Sequence, residues 1–560
     1  MSYLDKPWLK SYKLGPYKLD HSLSPYTEMP LYDMLDIAAE KYPGKTAILY
    51  LEREIKYRKL KMYSDSLANA LFSLGVRKGD RACVFLPNCP EAVIADWAIL
   101  KAGAAVIPTS ILRTDGGLVH EAGSGKAKVI FCQENQLERV LDLKGKCEFF
   151  HVIVTSDKGY DIGDVTAALP RDVYEFKKLL ENYDAVPPSI QIDPKTDLAE
   201  LAFTGGATGT PKGVMITHFN RAACISQGLP WILKPLIKGI KGKSSILLSV
   251  PLFHSYGRYM AQSAANLGLR LILMPEPRDI DAIVETIKAY RPFMITGVPT
   301  QFMRIAQKKV GKINSIPMSG AAPLPRDVAD AIKAELGNPV SEGYGLTETA
   351  PLTHFNISGF SKITGFMLSE KPGLGVPAPD TECKIINQTG GEEVPFGETG
   401  EILVRGPQVM KGYWPEPGSG LTENGWLKTG DVGYMDNDGY FHLTDRSKDM
   451  INVSGNKVYS TQVDEVIYNH PAVLMAASFG VPDPKTPGSE RVAVVIVLHE
   501  NYTKPVTEDE IRNHCRKHLA PYAVPKFVDF RDKLPMTVTE KLFKKELREQ
   551  MIEKMKTIAS

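Results

Sequence analysis

One glycine- and threonine-rich segment, residues 201–213, constrains the fold more than any other part of the chain. It runs from the apolar Leu201 through a Gly/Thr stretch to a Pro-Lys-Gly end, and apolar residues follow at 214–216. That order predicts a strand, a loop and a second ordered segment. Glycines let backbone N–H groups close on an anion, while threonine hydroxyls and a lysine add donors and charge. The segment therefore predicts a polyphosphate cradle made of Thr204, Gly205, Gly206, Ala207, Thr208, Gly209, Thr210 and Lys212.

Other kinds of Gly-rich segment share part of this composition. A Gly-rich cluster alone is more often a flexible surface loop. The segment is not a Walker A loop, because Pro211 precedes Lys212 and the required spacing fails, and it contains no G-x-G-x-x-G dinucleotide fingerprint. The chain also has neither a G-x-S-x-G elbow nor an H-E-x-x-H helix, so serine hydrolases and zinc proteases find no support.

Length and composition narrow the function classes. A chain of 560 residues exceeds what one hydrophobic core usually supports, which predicts two or more domains. The 67 basic and 65 acidic residues nearly cancel, so no nucleic-acid partner is expected. Seven scattered cysteines without a C-x-x-C favour a reducing, cytoplasmic compartment. No signal-peptide pattern opens the chain, and the apolar run 92–108, interrupted by Asp96 and Lys101, predicts a buried helix and strand rather than a membrane span.

Helical and strand patterns alternate along most of the chain, which predicts α/β layers with largely parallel sheets. Short strands of antiparallel character precede the charged stretch Asp445–Asp449. A compact region of about 110 residues follows that stretch, enough for a small domain. We therefore expect a domain boundary there, although the charged stretch alone would also fit an exposed turn.

Several motifs carry side chains suited to nucleotide chemistry. In the segment 344–351, Tyr344 can stack on a purine, Thr347 can donate to a phosphate oxygen, and Glu348 offers a hard carboxylate oxygen for Mg²⁺. Asp431 can accept from both ribose hydroxyls, and Arg446 could bind ribose or the α-phosphate. Each motif alone also fits ordinary structure, such as a capped helix start or a turn.

Three other segments are weak signals by themselves. A histidine after a strand, as at His254, is more often structural than catalytic. The segment 319–325 has the composition of an ordinary turn. Lys541 could simply belong to a charged C-terminal helix with Lys544, Lys545 and Arg548.

The ordered co-occurrence of these motifs resembles the adenylate-forming superfamily, which includes acyl-CoA synthetases, luciferases and peptide-synthetase adenylation domains. Residues 425–431 and 445–455, with the opening segment 6–12, are most similar to medium- and long-chain fatty acyl-CoA synthetases. The chain departs from the superfamily pattern at Gly205, Ala207 and Glu540. The resemblance implies an N-terminal adenylation domain over residues 1–447, with two α/β sheets and a distorted β-barrel. It also implies a small, mobile α+β lid domain over residues 448–560.

The resemblance also implies roles for individual residues. The catalytic residues would be Lys541, Thr347 and Glu348, with Glu348 as the metal ligand. The acyl group would contact Phe253, His254, Val298 and Phe302. Lys448 would be the hinge, and Gly455 and Lys457 would meet coenzyme A. Besides the cradle, the ATP or AMP site would comprise Gly320, Ala321, Ala322, Gly343, Tyr344, Gly345, Thr347, Asp431, Arg446 and Lys541.

The implied reaction uses ATP and coenzyme A as substrates and Mg²⁺ as a cofactor. A carboxylate attacks the α-phosphorus and expels diphosphate to give an acyl-adenylate, and a thiol then attacks the acyl carbon and displaces AMP. Alternatives remain open: an enzyme that loads a carrier protein, a luciferase-like oxygenase, or an ATP-binding protein with an inactive cradle. Fatty, aromatic and hydroxy acids are all compatible with the sequence, which also leaves open whether the chain forms a homo-oligomer.

Overall fold

The computed structural model describes residues 2–147, 149, 151–158, 162–204, 211–360, 371–454, 456–484, 486, 488–499, 502–536 and 542–559. The chain divides into two compact units. The first comprises Met1–Cys383, Val404–Leu427 and Asp438–Tyr440, and the second Lys384–Leu403, Lys428–Asn437 and Phe441–Ser560. The boundary after residue 447 stays a prediction.

The helices occupy these ranges: α1 Asp33–Lys41, α2 Tyr57–Ser73, α3 Pro90–Lys101, α4 Asp115–Ser124, α5 Leu137–Cys147, α6 Phe176–Asn182, α7 His218–Gln227, α8 Leu229–Ile232, α9 Ile237–Ile240, α10 Ser255–Asn266, α11 Ile280–Tyr290, α12 Pro299–Ala306, α13 Arg326–Leu336, α14 Ser460–Tyr468, α15 Glu508–Arg516 and α16 Lys544–Ala559. Within the described ranges, no helix has both the length and the apolar character needed to cross a membrane.

The strands occupy these ranges: β1 Lys13–Leu14, β2 Tyr17–Lys18, β3 Thr46–Tyr50, β4 Arg53–Lys56, β5 Arg81–Phe85, β6 Ala105–Pro108, β7 Ala127–Gln133, β8 His151–Thr155, β9 Val173–Glu175, β10 Leu198–Thr204, β11 Lys212–Thr217, β12 Ser245–Leu248, β13 Arg270–Leu273, β14 Met294–Gly297, β15 Ile316–Gly320, β16 Ser341–Tyr344, β17 His354–Phe355, β18 Val376–Pro377, β19 Glu382–Ile386, β20 Gly400–Arg405, β21 Gly412–Tyr413, β22 Glu416–Pro417, β23 Leu427–Met435, β24 Phe441–Arg446, β25 Ile451–Val453, β26 Asn456–Val458, β27 Val473–Pro482, β28 Glu490–Leu498 and β29 Phe527–Phe530.

Two nine-stranded sheets form the framework of the first unit, in the orders β22-β21-β11-β10-β6-β5-β7-β8-β9 and β18-β17-β16-β15-β14-β12-β13-β3-β4. Their central strands pair in parallel, and antiparallel pairs lie towards the edges. Parallel strands need helical crossovers, which explains why helices and strands alternate here. The apolar run 92–108 is buried as most of α3 and all of β6, as predicted.

The second unit contains a three-stranded sheet, β27-β28-β29, with helices on both faces. Because side chains alternate across a strand, Val492 and Val494 of β28 pack with α14 and α15, whereas Ala493 and Val495 pack with α16. The N–H of Glu510 donates to the Thr507 side chain, 3.2 Å away, so Thr507 caps the start of α15.

A four-stranded sheet in the order β19-β20-β23-β24 accounts for most of the rest of the second unit. The resemblance implied a distorted barrel at this point. In the parts of the chain that the structure describes, these strands form an open sheet. The predicted α/β class, with a large N-terminal domain and a separate small C-terminal one, is confirmed.

We expect Ile295→Ala to lower the free energy of unfolding of the first unit by about 2–5 kcal/mol, because deleting a buried aliphatic side chain leaves a cavity. Ile295 is fully buried against Phe302 and Ile283. The matched control is Ile37→Ala, since Ile37 is 40 % exposed and should change stability by less than about 0.5 kcal/mol. Urea unfolding measures the free energy of unfolding of both variants. Equal losses of stability in Ile295→Ala and Ile37→Ala would contradict the prediction.

Candidate functional site

The predicted phosphate cradle joins two antiparallel strands, β10 and β11. Strands β10 and β11 pair from Leu198 and Thr217 up to the final pair, Thr204 with Lys212. Residues 205–210, predicted to cradle the phosphates, lie outside the described residues. The residues on either side are nevertheless fixed, because they continue into the paired strands β10 and β11, whose central residues are buried.

Strand β21 brings an unpredicted tyrosine to this hairpin. Tyr413 pairs with Val214 of β11, and the Lys212 ammonium lies 5.1 Å from the centre of the Tyr413 ring. The Tyr413 hydroxyl donates to Glu348 Oε1 over 2.9 Å. Burial, reinforced by the Glu348 carboxylate, raises the pKa of Tyr413, so the hydroxyl keeps its proton and acts as the donor. Lys212 and Glu348, predicted separately, are thus joined through one aromatic side chain.

Glu348 lies in a single 3₁₀ turn, Thr347–Thr349. The Thr349 hydroxyl closes the turn by hydrogen bonds of 3.0 Å with both the N–H and the carbonyl of Leu346. The backbone N–H of Met410 donates to the Glu348 carbonyl over 2.8 Å. The backbone of the turn is therefore fixed, while the side chains of Thr347 and Glu348 are partly exposed.

Just before this turn, the backbone at Gly345 lies close to the backbone at Pro351. A Cβ at this position would lie 1.7 Å from the carbonyl oxygen of Pro351, so no residue but glycine fits. Tyr344, the last residue of β16, accepts at its carbonyl from the N–H of Thr353 over 2.8 Å. The Tyr344 ring lies 5.5 Å from the ring of the buried His354, centre to centre.

The segment predicted to meet adenine lies beside Tyr344. Strand β15 ends at Gly320, which pairs in parallel with Gly343 of β16, and Ala321 follows with a left-handed φ of 71°. Ala322 comes next, just after the strand. The two predicted nucleotide segments therefore meet at the carboxyl edge of a parallel sheet, the edge where α/β proteins commonly bind ligands.

The predicted acyl-binding residues occupy two helix starts. His254 is the N-cap of α10, and its Nδ1 accepts from the N–H of Tyr256 over 3.2 Å, with Phe253 directly before it. Val298 is the N-cap residue of α12. Phe302 lies on α12 itself, and its side chain is fully buried in the core. The acyl-binding role of all four residues stays a prediction.

In the second unit the predicted ribose residues face each other. Asp431 of β23 pairs with Arg446 of β24, and Arg446 Nε lies 3.1 Å from Asp431 Oδ1. The predicted hinge residue Lys448 follows in a turn, where the N–H of Asp449 donates to the Arg446 carbonyl over 3.0 Å. Lys457 lies on β26 and donates to Gln388 Oε1 over 3.0 Å. Gly455, between β25 and β26, lies outside the described residues.

Lys541 also lies outside the described residues, but both flanks of its segment are placed. Met536 and Leu542 form an isolated antiparallel bridge, and the N–H of Phe543 donates to the Pro535 carbonyl over 2.9 Å. Helix α16 begins only at Lys544, so Lys541 precedes this charged helix in the chain.

Sequence reasoning missed two residues near the predicted site. Lys544 donates to Asp464 Oδ2 and to Ser460 Oγ, each over 2.8 Å, and anchors the start of α16. Nothing in the sequence separates Lys544 from its exposed neighbours. The sequence does not mark Tyr413 as a site residue either, because its position depends on the pairing of β21 with β11.

Known families and proteins match this chain along nearly all its length. The AMP-binding enzyme family matches residues 35–414, and the AMP-binding enzyme C-terminal domain matches residues 462–541. A long-chain-fatty-acid–CoA ligase of Bacillus subtilis is 33 % identical over 98 % of both chains. A feruloyl-CoA synthase of an Amycolatopsis species is 32 % identical over 91 % of this chain and 96 % of its own.

A solved structure agrees with these matches. The ATP-bound MatB of Rhodopseudomonas palustris superposes with a TM-score of 0.82 at 25 % identity, covering 94 % of this chain and 99 % of its own. The resemblance that the ordered motifs suggested is thereby confirmed, and the chain belongs to the AMP-binding enzymes of the adenylate-forming superfamily.

Proposed function

We propose that this protein is an AMP-forming acid–CoA ligase that converts a medium- or long-chain fatty acid, ATP and coenzyme A into acyl-CoA, AMP and diphosphate. The observation that carries the proposal is the junction of Lys212, Tyr413 and Glu348 at the ends of the cradle hairpin. The full-length similarity to long-chain-fatty-acid–CoA ligases supports the acid class. The seven cysteines are unpaired and buried, which supports a reducing, cytoplasmic setting.

The first step must bring a carboxylate to a polyanion. Two like charges at about 4 Å repel by roughly 4 kcal/mol at an effective dielectric near 20. Lys212 and the backbone N–H groups of the cradle would offset the phosphate charge, with hydroxyls from Thr204 and its neighbours as further donors. The carboxylate is already ionised, so attack on the α-phosphorus needs no general base.

The residues present fit a magnesium ion. Glu348 is a partly exposed carboxylate, and its Oε1 is held by Tyr413, which leaves Oε2 as the oxygen to meet the ion. Magnesium takes few protein ligands when phosphate oxygens complete its shell, and it would supply neutralisation of the phosphate charge. Thr347, beside Glu348, would donate its hydroxyl to a phosphate oxygen.

Other predicted residues would bind the rest of the nucleotide. Tyr344 would stack on adenine, with Gly320, Ala321 and Ala322 along the ring and Gly343 and Gly345 beside it. Asp431 and Arg446, already paired with each other, would bind the ribose. Lys541 would lie between carboxylate and α-phosphate and stabilise the charge that builds up in the transition state.

The second step requires a different arrangement, because the thiol must reach the acyl carbon and displace AMP. A hinge at Lys448 would exchange the Lys541 segment for a pantetheine entrance. Gly455 would let the thiol arm pass close to the backbone, and Lys457 would meet the phosphates of coenzyme A. The pocket for the acyl chain would be lined by Phe253, His254, Val298 and Phe302.

A panel of carboxylic acids, scored by coenzyme A-dependent release of AMP, tests the function. We expect medium- and long-chain fatty acids to give the highest kcat/KM. Because a feruloyl-CoA synthase is nearly as similar as the fatty-acid ligases, aromatic acids form the second arm of the panel. If the purified protein released no diphosphate with any acid, the proposed function would be contradicted.

We expect Lys541→Ala to lower carboxylate-dependent diphosphate exchange by about a hundredfold to a thousandfold, the cost of removing one transition-state donor. Thioester formation from supplied acyl-adenylate should be spared, because that step does not use the lysine. Lys545→Ala is the matched control, since Lys545 is exposed on α16. Equal loss in both half-reactions would contradict the assigned role.

We expect Tyr413→Phe to raise the Mg²⁺ concentration for half-maximal diphosphate formation by about tenfold, because a hydrogen bond to a charged group contributes about 1.5–3 kcal/mol. The ring stays, so the contact with Lys212 is kept. Tyr522→Phe serves as the control, since Tyr522 is 45 % exposed and lies in the second unit. An unchanged magnesium titration in Tyr413→Phe would show that Glu348 needs no such support.

A further inference from the structure

Four charged side chains form a cluster inside the first unit, and the proposed chemistry uses none of them. They are Asp96 on α3, Glu200 on β10, Arg221 on α7 and Arg258 on α10. Three of the side chains are no more than 2 % exposed, and Asp96 is 14 % exposed. We call this group the buried quartet. Two arginines and two carboxylates balance, as burial of charge requires.

The quartet is a chain of ion pairs centred on Glu200. Arg221 pairs directly with Glu200 Oε2, and Arg258 NH1 lies 3.3 Å from the same oxygen. Arg258 Nε also donates to Asp96 Oδ2 over 2.9 Å. Burial by itself would raise the pKa of Glu200, but the two guanidinium groups hold it below its ordinary value, so Glu200 remains charged.

Arg221 has a contact that the other three members lack. Its NH1 donates to the carbonyl oxygen of Ala350 over 2.7 Å. Ala350 ends the turn that carries Thr347 and Glu348, and its own N–H donates to the Thr347 carbonyl over 3.2 Å. Its φ of 59° is uncommon for a residue with a Cβ, so the surrounding contacts must hold it there.

The quartet also touches two other predicted substrate segments. Glu200 lies on β10, four residues before Thr204 and the cradle. Arg221 NH2 lies 3.4 Å from the hydroxyl of Ser255, the residue after His254. One buried guanidinium group thus adjoins the strand leading to the phosphates, the turn bearing the metal ligand and the start of the acyl segment.

We propose that Arg221 is a positioning residue that sets the place of Glu348 for adenylation, acting through the Ala350 carbonyl. This inference rests on the proposed function of Glu348. Arg221 itself touches no substrate. A planar guanidinium group serves two partners in fixed directions, which one ammonium group cannot reproduce, so the position specifically requires arginine.

Two charge-balanced double variants of the full chain separate positioning from stability. Glu200→Met/Arg221→Met removes the bond to Ala350 and leaves Asp96 paired with Arg258. Asp96→Leu/Arg258→Met removes the other pair and leaves Glu200, Arg221 and the Ala350 bond intact. Replacing a whole buried ion pair by apolar side chains is often neutral for stability, so both variants should fold with similar thermal midpoints.

The readouts are kcat for diphosphate formation, its Mg²⁺ dependence and the KM for ATP. In Glu200→Met/Arg221→Met we expect kcat to fall about a hundredfold, as for a misplacement of about 1 Å, with a higher Mg²⁺ requirement. The Asp96→Leu/Arg258→Met control should stay within about threefold of the parent protein, because it keeps Arg221, its pairing with Glu200 and its bond to Ala350. Equal rates and equal magnesium titrations in the two variants would overturn the proposal.

A third variant, Arg221→Lys, tests the positioning role of Arg221 if the first double variant does not fold. Arg221→Lys keeps the charge beside Glu200 but cannot serve Glu200 and Ala350 together. A fall in kcat with a raised Mg²⁺ requirement supports the proposal. Unchanged titrations, or failure of this variant to fold as well, overturn it in favour of a purely structural role. A parent protein that releases no diphosphate with any acid contradicts the proposed function instead.

Discussion

The pairing of β11 with a neighbour on each side determines where Thr204, Lys212 and Tyr413 lie. On one side, β10 brings Thr204 opposite Lys212. On the other side, β21 brings Tyr413 opposite Val214, within reach of both Lys212 and Glu348. These are backbone hydrogen bonds in a buried sheet, so the register cannot slip without turning every side chain to the wrong face. The positions of Lys212 and Tyr413 are therefore set by the backbone pairing of a sheet.

Much of this arrangement could be predicted from local patterns. The apolar, glycine-rich and again apolar order of residues 201–216 predicted a strand, which is β10, and a second ordered segment, which is β11. The run 92–108 predicted a buried helix and strand, which are α3 and β6. Such features depend on neighbours in the sequence, where side-chain period and turn chemistry act directly.

Contacts between distant segments could not be predicted in the same way. Tyr413 and Glu348 are 65 positions apart, and Arg221 and Ala350 are 129 apart. No local pattern encodes either contact. The buried quartet is a sharper case, because its four members would be assigned to the surface by composition alone. Phe302 packs in the same buried cluster as Ile295 and Ile305, and its predicted contact with the acyl group stays a prediction.

In the second unit, a largely buried ion pair fixes the helix that follows the Lys541 segment. Lys544, just past the predicted catalytic lysine, is bound to Asp464 and Ser460. Burial would lower the pKa of Lys544, but the Asp464 carboxylate raises it above the ordinary value, so the ammonium stays charged and the pair stays formed. Asp445, which accepts from both the N–H and the hydroxyl of Ser460, extends the same network. The start of α16, just after the Lys541 segment, is thus fixed to the core of its unit.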